Sequence, residues 1–334
     1  MTAPSAANPA VDFLLIGGGF FGYAKEIAAT LERRGRHVRW FEDRPAVDNL
    51  TKALVRLAPA LVAAKAEAYF DAIIEEVRAQ PIRDVLVIKG ESLSPAAIGR
   101  LRQALPRARF TLYFWDSYRN MPSGSAEKVV YFDKAYTFDS ADASRDARLT
   151  YRPLWFLDEY QGLPLVDQDI DVLFFGTVHT DRYAVVKRLS RVLPPELKFE
   201  KVMYFPSRLI YRARRAFDPD FWGARDGEFI FKPLDKKAIL SLIARSRIVV
   251  DIERSVQSGL TMRTIEMLGA GRKLVTTNPA SRDADFFDAH NIAVIDRAKP
   301  LVTEEFLSQS YRPPPDEILR RYSLAGWIDE VLGA

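Results

Sequence analysis

DIERSVQSGLTMRTIEMLGAGRKLVTTN, residues 251–278, decides the fold. It opens at the end of a short apolar run, RIVVD (247–251), the pattern of a strand buried on both faces. A loop through Gln257, Ser258 and Gly259 follows. Next come a helix from near Leu260 to residue 269 and a second strand, KLVTT (273–277). Strand, helix and strand in this order build a parallel sheet with helices packed on its faces.

The same alternation extends outward from this stretch. Upstream lie DVLFFG (171–176), a helix from Tyr183 to Val192 with Val185, Val186 and Leu189 on one side, and LKFEKVMYF (197–205). After these, Asp235 caps a helix carrying Ile239, Leu242 and Ile243. Downstream come a short helix around Asp285–His290 and the strand IAVI (292–295). The first half repeats the scheme. VDFLLI (11–16), HVRWF (37–41), DVLVIK (84–89) and RFTLYFW (109–115) read as strands. Between them lie a helix over 21–34 closed by Gly35, a long helical stretch from about Asp48 to Gln80, and a helix opened by Ser94 and Pro95.

The expected fold class is therefore α/β, with two Rossmann-like doubly wound domains. A polar tail, 1–10, is expected to be frayed. The first domain spans 11–155 and the second 165–310, with an aperiodic linker between Tyr151 and Asp169. Residues 311–334 form terminal helices. There Asp316 and Ser323 are expected caps, and Leu324, Trp327, Ile328 and Val331 make an apolar face that must dock.

Composition narrows the chemistry. At 334 residues the chain exceeds the ~250–300 that one core usually serves, which agrees with two domains. It contains no Cys and only three His (His37, His179, His290), so disulfides, thiolate nucleophiles and Cys- or His-rich metal sites are excluded. Asp133, Asp139 and Asp142 have no recognised chelate spacing, and no metal is expected. Neither a signal-peptide pattern nor the ~20 apolar residues of a membrane span is found, so a cytoplasmic location is expected. Net charge is +4, from 48 Lys plus Arg against 44 Asp plus Glu. That is too modest for a general nucleic-acid binder, so anion recognition has to come from local clusters.

Four clusters stand out. Gly17, Gly18, Gly19, Phe20, Phe21 and Gly22 satisfy GxGxxG between a strand and a helix, with Glu42 ending the next strand. This is where a dinucleotide would lay its pyrophosphate, so an NAD(P)- or FAD-dependent oxidoreductase is one reading; close packing of a sharp strand-to-helix turn is the other. In 251–278 the helix start around Ser258, Gly259, Leu260 and Thr261 offers amides to a diphosphate. Glu266 can accept from both hydroxyls of a ribose, and Arg263 can face the phosphates. An amphipathic surface helix with an i, i+3 Arg–Glu pair reads equally from the spacing. Third, Asp116 after YFW and Glu91 after VIKG end strands of the first domain. Asp116 is expected to serve as general base or nucleophile, its pKa raised by the aromatic neighbours, or else to cap a helix or pair with Arg119. Lys89 can neutralise phosphate or an acidic sugar, or simply be solvated at its strand end. Fourth, KVMYFPSRLIYRARRAF (201–217) interleaves Arg208, Arg212, Arg214 and Arg215 with apolar residues. This suits an anionic membrane surface or a lipid-linked acceptor, or simply a basic surface helix.

On these residues the chain resembles bacterial glycosyltransferases of the GT-B type, especially those of capsule, exopolysaccharide and lipopolysaccharide synthesis. The likeness lies in Gly259, Glu266, Gly269, Lys273 and Thr276-Thr277-Asn278, and in FFGTVHTDR (174–182). It extends to VIKGESLS (87–94), YFWDS (113–117), FDKAYTFDSAD (132–142) and SLAGWIDEVL (323–332). The resemblance implies a GT-B architecture with its last helix crossing back to the N-terminal domain. It also implies a nucleotide-sugar donor on the second domain, with Gly176, Thr177, His179 and Arg182 joining the residues around Glu266. A glycan or lipid-linked glycan acceptor would lie near Gly18, Gly19, Phe20 and Lys89. Transfer of a hexosyl or Kdo-like sugar would need no cofactor. Where many such enzymes carry an earlier Glu in the donor loop, this chain has Ser258. A non-catalytic sugar-nucleotide or glycan-binding subunit is a further alternative.

Overall fold

The structure, a computed structural model, describes residues 10–19, 22–45, 59–254 and 259–333. The chain divides into two compact units. One is Met1–Pro153 together with Ile328–Ala334; the other is Leu154–Trp327.

The first unit is built on six parallel strands: β1 (Phe13–Ile16), β2 (Val38–Phe41), β3 (Asp84–Ile88), β4 (Arg109–Phe114), β5 (Lys134–Thr137) and β6 (Thr150–Tyr151). Their order is β2-β1-β3-β4-β5-β6. Helices α1 (Tyr23–Arg33), α2 (Pro59–Val77), α3 (Pro95–Ala104) and the one-turn α4 (Ser140–Arg145) complete it. All four residues of β1 are fully buried, as a strand covered on both faces requires. Ser94 caps α3 by accepting from the Ala97 amide at 3.0 Å, and Gly35 closes α1 at φ +81°. Of the long helix expected from about Asp48, residues 59–77 are helical, while 46–58 lie outside the described residues.

The second unit has β7 (Ile170–Thr177), β8 (Phe199–Tyr204), β9 (Phe229–Ile230), β10 (Ser246–Asp251), β11 (Lys273–Thr276) and β12 (Ile292–Val294). All are parallel, in the order β12-β11-β10-β7-β8-β9. Its helices are α5 (Asp158–Gln161), α6 (Arg182–Val192), α7 (Arg208–Phe217), α8 (Lys236–Ala244), α9 (Met262–Ala270), α10 (Glu304–Ser308) and α11 (Asp316–Tyr322). The final helix, α12 (Leu324–Leu332), begins in this unit and its closing residues group with the first. Within the first unit the chain end is tied by Arg152, fully buried, whose Nε lies 2.6 Å from Glu330, and by Arg34 with Asp329 at 2.7 Å. The apolar face of α12 is buried, with Trp327 lying 4.0 Å from Trp155 between ring centroids.

Two expectations need correction. Residues 285–290 form turns, not a helix. Asp288 spends its side chain on the His290 amide and its carbonyl on Asn291 and Ile292, a local pattern that competes with a helix. Asp285 meanwhile accepts from Tyr322 and Arg321, each at 2.6 Å. Asp316 does not cap α11: Pro315 holds that position and Asp316 is the first helical residue. Ser323 does cap α12, accepting from the Gly326 amide at 3.1 Å.

Both sheets change direction at one place, between β1 and β3 and between β7 and β10. In doubly wound sheets the loops leaving the carboxyl ends of such strands diverge and leave a crevice, which is where ligands bind. The sequence puts Gly17–Gly19 and Lys89–Glu91 at the first switch point, and Gly176–Arg182 and Asp251–Arg254 at the second.

Candidate functional site

At the first switch point the glycine loop is already occupied by the protein itself. Glu42 accepts from the Gly19 amide at 2.9 Å, and a Cβ on Gly19 would lie 2.5 Å from the Glu42 carboxylate. The Trp40 ring borders the same glycine, and its indole donates to the Gly17 carbonyl at 2.8 Å. The carboxylate that a dinucleotide reading assigns to ribose is thus a ligand of the loop. Phe20 lies outside the described residues.

Beside the loop, Lys89 adopts a left-handed backbone (φ +67°) that brings its ammonium 2.8 Å from Asp116 and 3.2 Å from Glu91. Burial works to lower the Lys89 pKa, but the hydrogen bonds and charges of these two carboxylates outweigh it and hold it above its ordinary value. The Asp116 side chain is 38% exposed and pairs with Lys89; Ser117 holds the cap position of the turn that follows, and among the described residues Asp116 makes no ion pair with Arg119.

The sequence reading missed the two buried charges beneath this pair. Asp43 is 2% exposed. One of its oxygens accepts weakly from the Glu91 amide at 3.4 Å, and the other has no hydrogen-bond partner among the described residues. Lys128, also buried, donates to the Gly90 carbonyl at 2.8 Å. Burial raises the Asp43 pKa and lowers that of Lys128. A carboxyl raised above its unfolded value of 3.8 favours the fold fully below that pH, and this contribution is lost as pH rises through the folded value. Asp43→Asn is thus expected to melt higher than wild type at pH 7, and the two are expected to converge below pH 4. A lower melting point for the variant at pH 7 would show that the carboxylate stabilises the fold.

At the second switch point Arg182 clamps two strand ends together. It donates to the Thr177 carbonyl at 2.8 Å and, through Nε and a second nitrogen, to the Ile252 carbonyl, the Nε bond being 2.9 Å. Gly176, one residue before the end of β7, lies against this guanidinium: a Cβ there would come within 3.3 Å of it. The α9 start lies on the same edge. Thr261 caps the helix by accepting from the Thr264 amide at 3.1 Å and donates its hydroxyl to Asp251 at 2.6 Å. The Gly259 carbonyl accepts from Asn278 at 3.0 Å, Leu260 is buried, and Ser258 lies outside the described residues. Arg263 lies 3.4 Å above the Phe175 ring centroid and donates to the Phe175 carbonyl at 3.2 Å. Its Nε lies 3.5 Å from Glu266, so the i, i+3 pair is present.

Glu266 is 8% exposed, an unusual position for a carboxylate on an amphipathic surface helix. Burial, then the charge and hydrogen bond of Glu266, raise the pKa of the Tyr160 phenol well above its usual range. Tyr160 and Arg263 together hold the carboxylate in place.

Positive charge gathers here. Burial, with the charges of Arg263, Arg254 and Arg297 added and Asp251 opposing, pulls Arg182 down to about 10. Burial, then Arg182 and Arg254, pushes His179 down to about 4. Burial is the larger cause of both shifts, and the neighbouring guanidinium groups add to it. Arg297 and Glu253 carry no local signature in the sequence; Arg297 bridges Asp181 at 2.7 Å and Glu253 at 2.8 Å. Among the described residues no group of three or more His, Asp or Glu is placed to hold a metal ion.

On α7, Arg208 lies over the Phe231 ring and Arg212 is exposed; Arg215 pairs at 3.3 Å with Asp226. Arg214 turns inward, to Asp218 at 2.7 Å, the Thr180 carbonyl and the Phe221 ring, and leaves the basic surface.

No family model matches the chain, and no curated protein matches it in sequence. Solved structures do match it in shape. The Anabaena HepE complex with UDP and glucose is 12% identical, with a TM-score of 0.58 over 97% of this chain and 100% of that one. A glycosyltransferase from Rickettsia africae is 13% identical, with a TM-score of 0.61 over 98% of each chain. This chain has the GT-B fold. The same fold is seen in the UDP-GlcNAc 2-epimerase of Neisseria meningitidis bound to UDP-GlcNAc, at 8% identity and a TM-score of 0.56, over 97% of this chain and 99% of that one.

Proposed function

We propose that this GT-B chain transfers a sugar from a nucleotide-activated donor to a surface-polysaccharide or lipopolysaccharide acceptor, on the cytoplasmic side of the membrane. The observation that carries this reading is Glu266, a buried carboxylate fixed by Arg263 and Tyr160 on the helix that leaves the second switch point. In this reading Glu266 accepts from the ribose hydroxyls, and the helix-start amides with Arg254 and Arg263 take the donor's diphosphate or monophosphate. The acceptor lies at the first switch point, around Gly18, Gly19, Lys89, Glu91 and Asp116. Its hydroxyl oxygen bonds to the anomeric carbon as the bond to the donor phosphate breaks; the proton passes to Asp116, and the nucleotide leaves with the electron pair. Amides and guanidinium groups stabilise that leaving charge, and the reading requires no metal. A hexosyl or Kdo-like sugar fits the basic surroundings.

The test is a thermal-shift panel of UDP-, GDP-, dTDP- and CMP-sugars, with NAD(P) and FAD as counter-ligands. A ligand at a hundred times its Kd stabilises by about 2.7 kcal/mol, so one class is expected to raise the melting point clearly. Nucleotide release is then followed with and without acceptor glycans, because an epimerase shares the fold. Release that requires an acceptor and persists in EDTA supports the proposal. Stabilisation by NAD(P) or FAD alone, donor conversion without acceptor, or binding without any turnover would each overturn it.

A further inference from the structure

The function proposed above leaves α7 and the turn after it without a role, yet four exposed large apolar side chains gather here. Leu209 is 75% exposed, Ile210 51%, Phe217 86% and Trp222 62%. On a helix, residues 209, 213 and 217 follow one another along a single stripe, with 210 and 216 beside it, and Ala213 and Ala216 are exposed as well. Trp222 extends this surface from the turn Pro219–Phe221, which packs on α7. Arg208, Arg212 and Arg215 form the adjoining stripe, all exposed, and the helix has no acidic residue. The nearby Asp218 and Asp226 are engaged by Arg214 and Arg215. Tyr211 faces inward, 1% exposed, and fixes which side of the helix looks out.

We propose that α7 and Trp222 form a docking surface for an anionic phospholipid bilayer, with the helix lying in the interface plane. Its charge decides the occupant. An apolar stripe alone would fit a second copy of the chain, whereas Arg208 and Arg212, which have no carboxylate partner among the described residues, would repel their counterparts in such a pair. Anionic headgroups accept those arginines while the apolar stripe enters the acyl boundary. Among the described residues no helix is long and apolar enough to cross a membrane, so contact through this surface would be peripheral. The surface would hold the enzyme where a lipid-linked acceptor is found.

The experiment is flotation of the full chain with vesicles of phosphatidylcholine, alone or with one third phosphatidylglycerol. Binding at least about tenfold stronger to the anionic vesicles, and weakened by salt, is expected. Phe217→Ser with Trp222→Ser is expected to abolish it, and Arg208→Gln with Arg212→Gln to weaken it about tenfold. Melting point and nucleotide binding are expected to stay as in wild type, since these side chains lie outside the donor site. Equal binding to both vesicle types, no binding, or full retention by the variants would overturn the proposal. So would self-association in sedimentation that Phe217→Ser abolishes, which would assign the surface to a second copy. Flotation needs no turnover, so it succeeds or fails independently of sugar transfer.

Discussion

Glu266→Ala is expected to weaken binding of the donor nucleotide about 100-fold or more. A carboxylate accepting from two ribose hydroxyls makes two hydrogen bonds to a charged group, each contributing about 1.5–3 kcal/mol, and about 1.4 kcal/mol is a factor of ten. The alanine also leaves the buried Tyr160 hydroxyl without its acceptor and Arg263 without its carboxylate, while Arg263 keeps the Phe175 carbonyl. Glu266→Gln separates the two effects. It keeps an acceptor for Tyr160 and a similar shape but removes the charge, so intermediate affinity with a near-normal melting point is expected. Because the ribose is remote from the bond that breaks, the loss falls on KM more than on kcat. Calorimetric titration with the nucleotide found in the thermal-shift panel is the measurement. If Glu266→Ala bound that nucleotide within a factor of two of wild type, the site assignment would be wrong.

What was legible in the sequence follows from how far apart the interacting residues are. The core strands declare themselves because a buried parallel strand is a near-continuous apolar run, as Phe13–Ile16 and Val85–Ile88 are. Caps such as Ser94 and Asp235 act within three residues and are equally local. The two-residue edge strands β6 and β9 are too short to carry any period, and the carboxylate turn at Asp288 looks like a helix start until its partners are known. In the site, strand ends could be named because the sheet's carboxyl edge is where loops converge. The pair Arg263–Glu266 was readable as i, i+3. What each strand-end residue touches was not readable. Arg182 meets a carbonyl 70 residues away, and Arg297 meets Asp181 across 116. Lys89 could be named as a cation at a strand end, but its partners Asp116 and Glu91 could not. Asp43 and Lys128 gave no local signal, since burial of a charge is decided wholly by the tertiary packing above it.

The largest expected loss of stability comes from Arg297→Met. Arg297 donates to both oxygens of Asp181 at 2.7 and 3.0 Å, to the Glu253 carboxylate at 2.8 Å, to the Glu253 carbonyl at 3.0 Å and to the Thr277 hydroxyl at 2.9 Å. Asp181 is partly exposed and can turn to water. Glu253, 6% exposed, cannot. Burial already raises the Glu253 pKa above 4.5, with Asp251 adding to the rise, while Thr277, the backbone and Arg297 pull the other way. Removing the guanidinium leaves a buried carboxylate with its neutralising partner gone, a change that costs about 3–5 kcal/mol in buried pairs. A carboxyl with a raised folded pKa favours the fold below its unfolded value and loses that contribution as pH rises through the folded one. The variant's deficit is therefore expected to be largest at neutral pH and to shrink as Glu253 takes up a proton on acidification. Adding Glu253→Gln to Arg297→Met is expected to restore much of the loss at pH 7, because an amide keeps an acceptor for Thr277 without a buried charge. Urea unfolding of the two variants at pH 7 and pH 5 measures both effects. A deficit independent of pH and untouched by the second substitution would mean that Arg297 contributes through packing, not through the charge of Glu253.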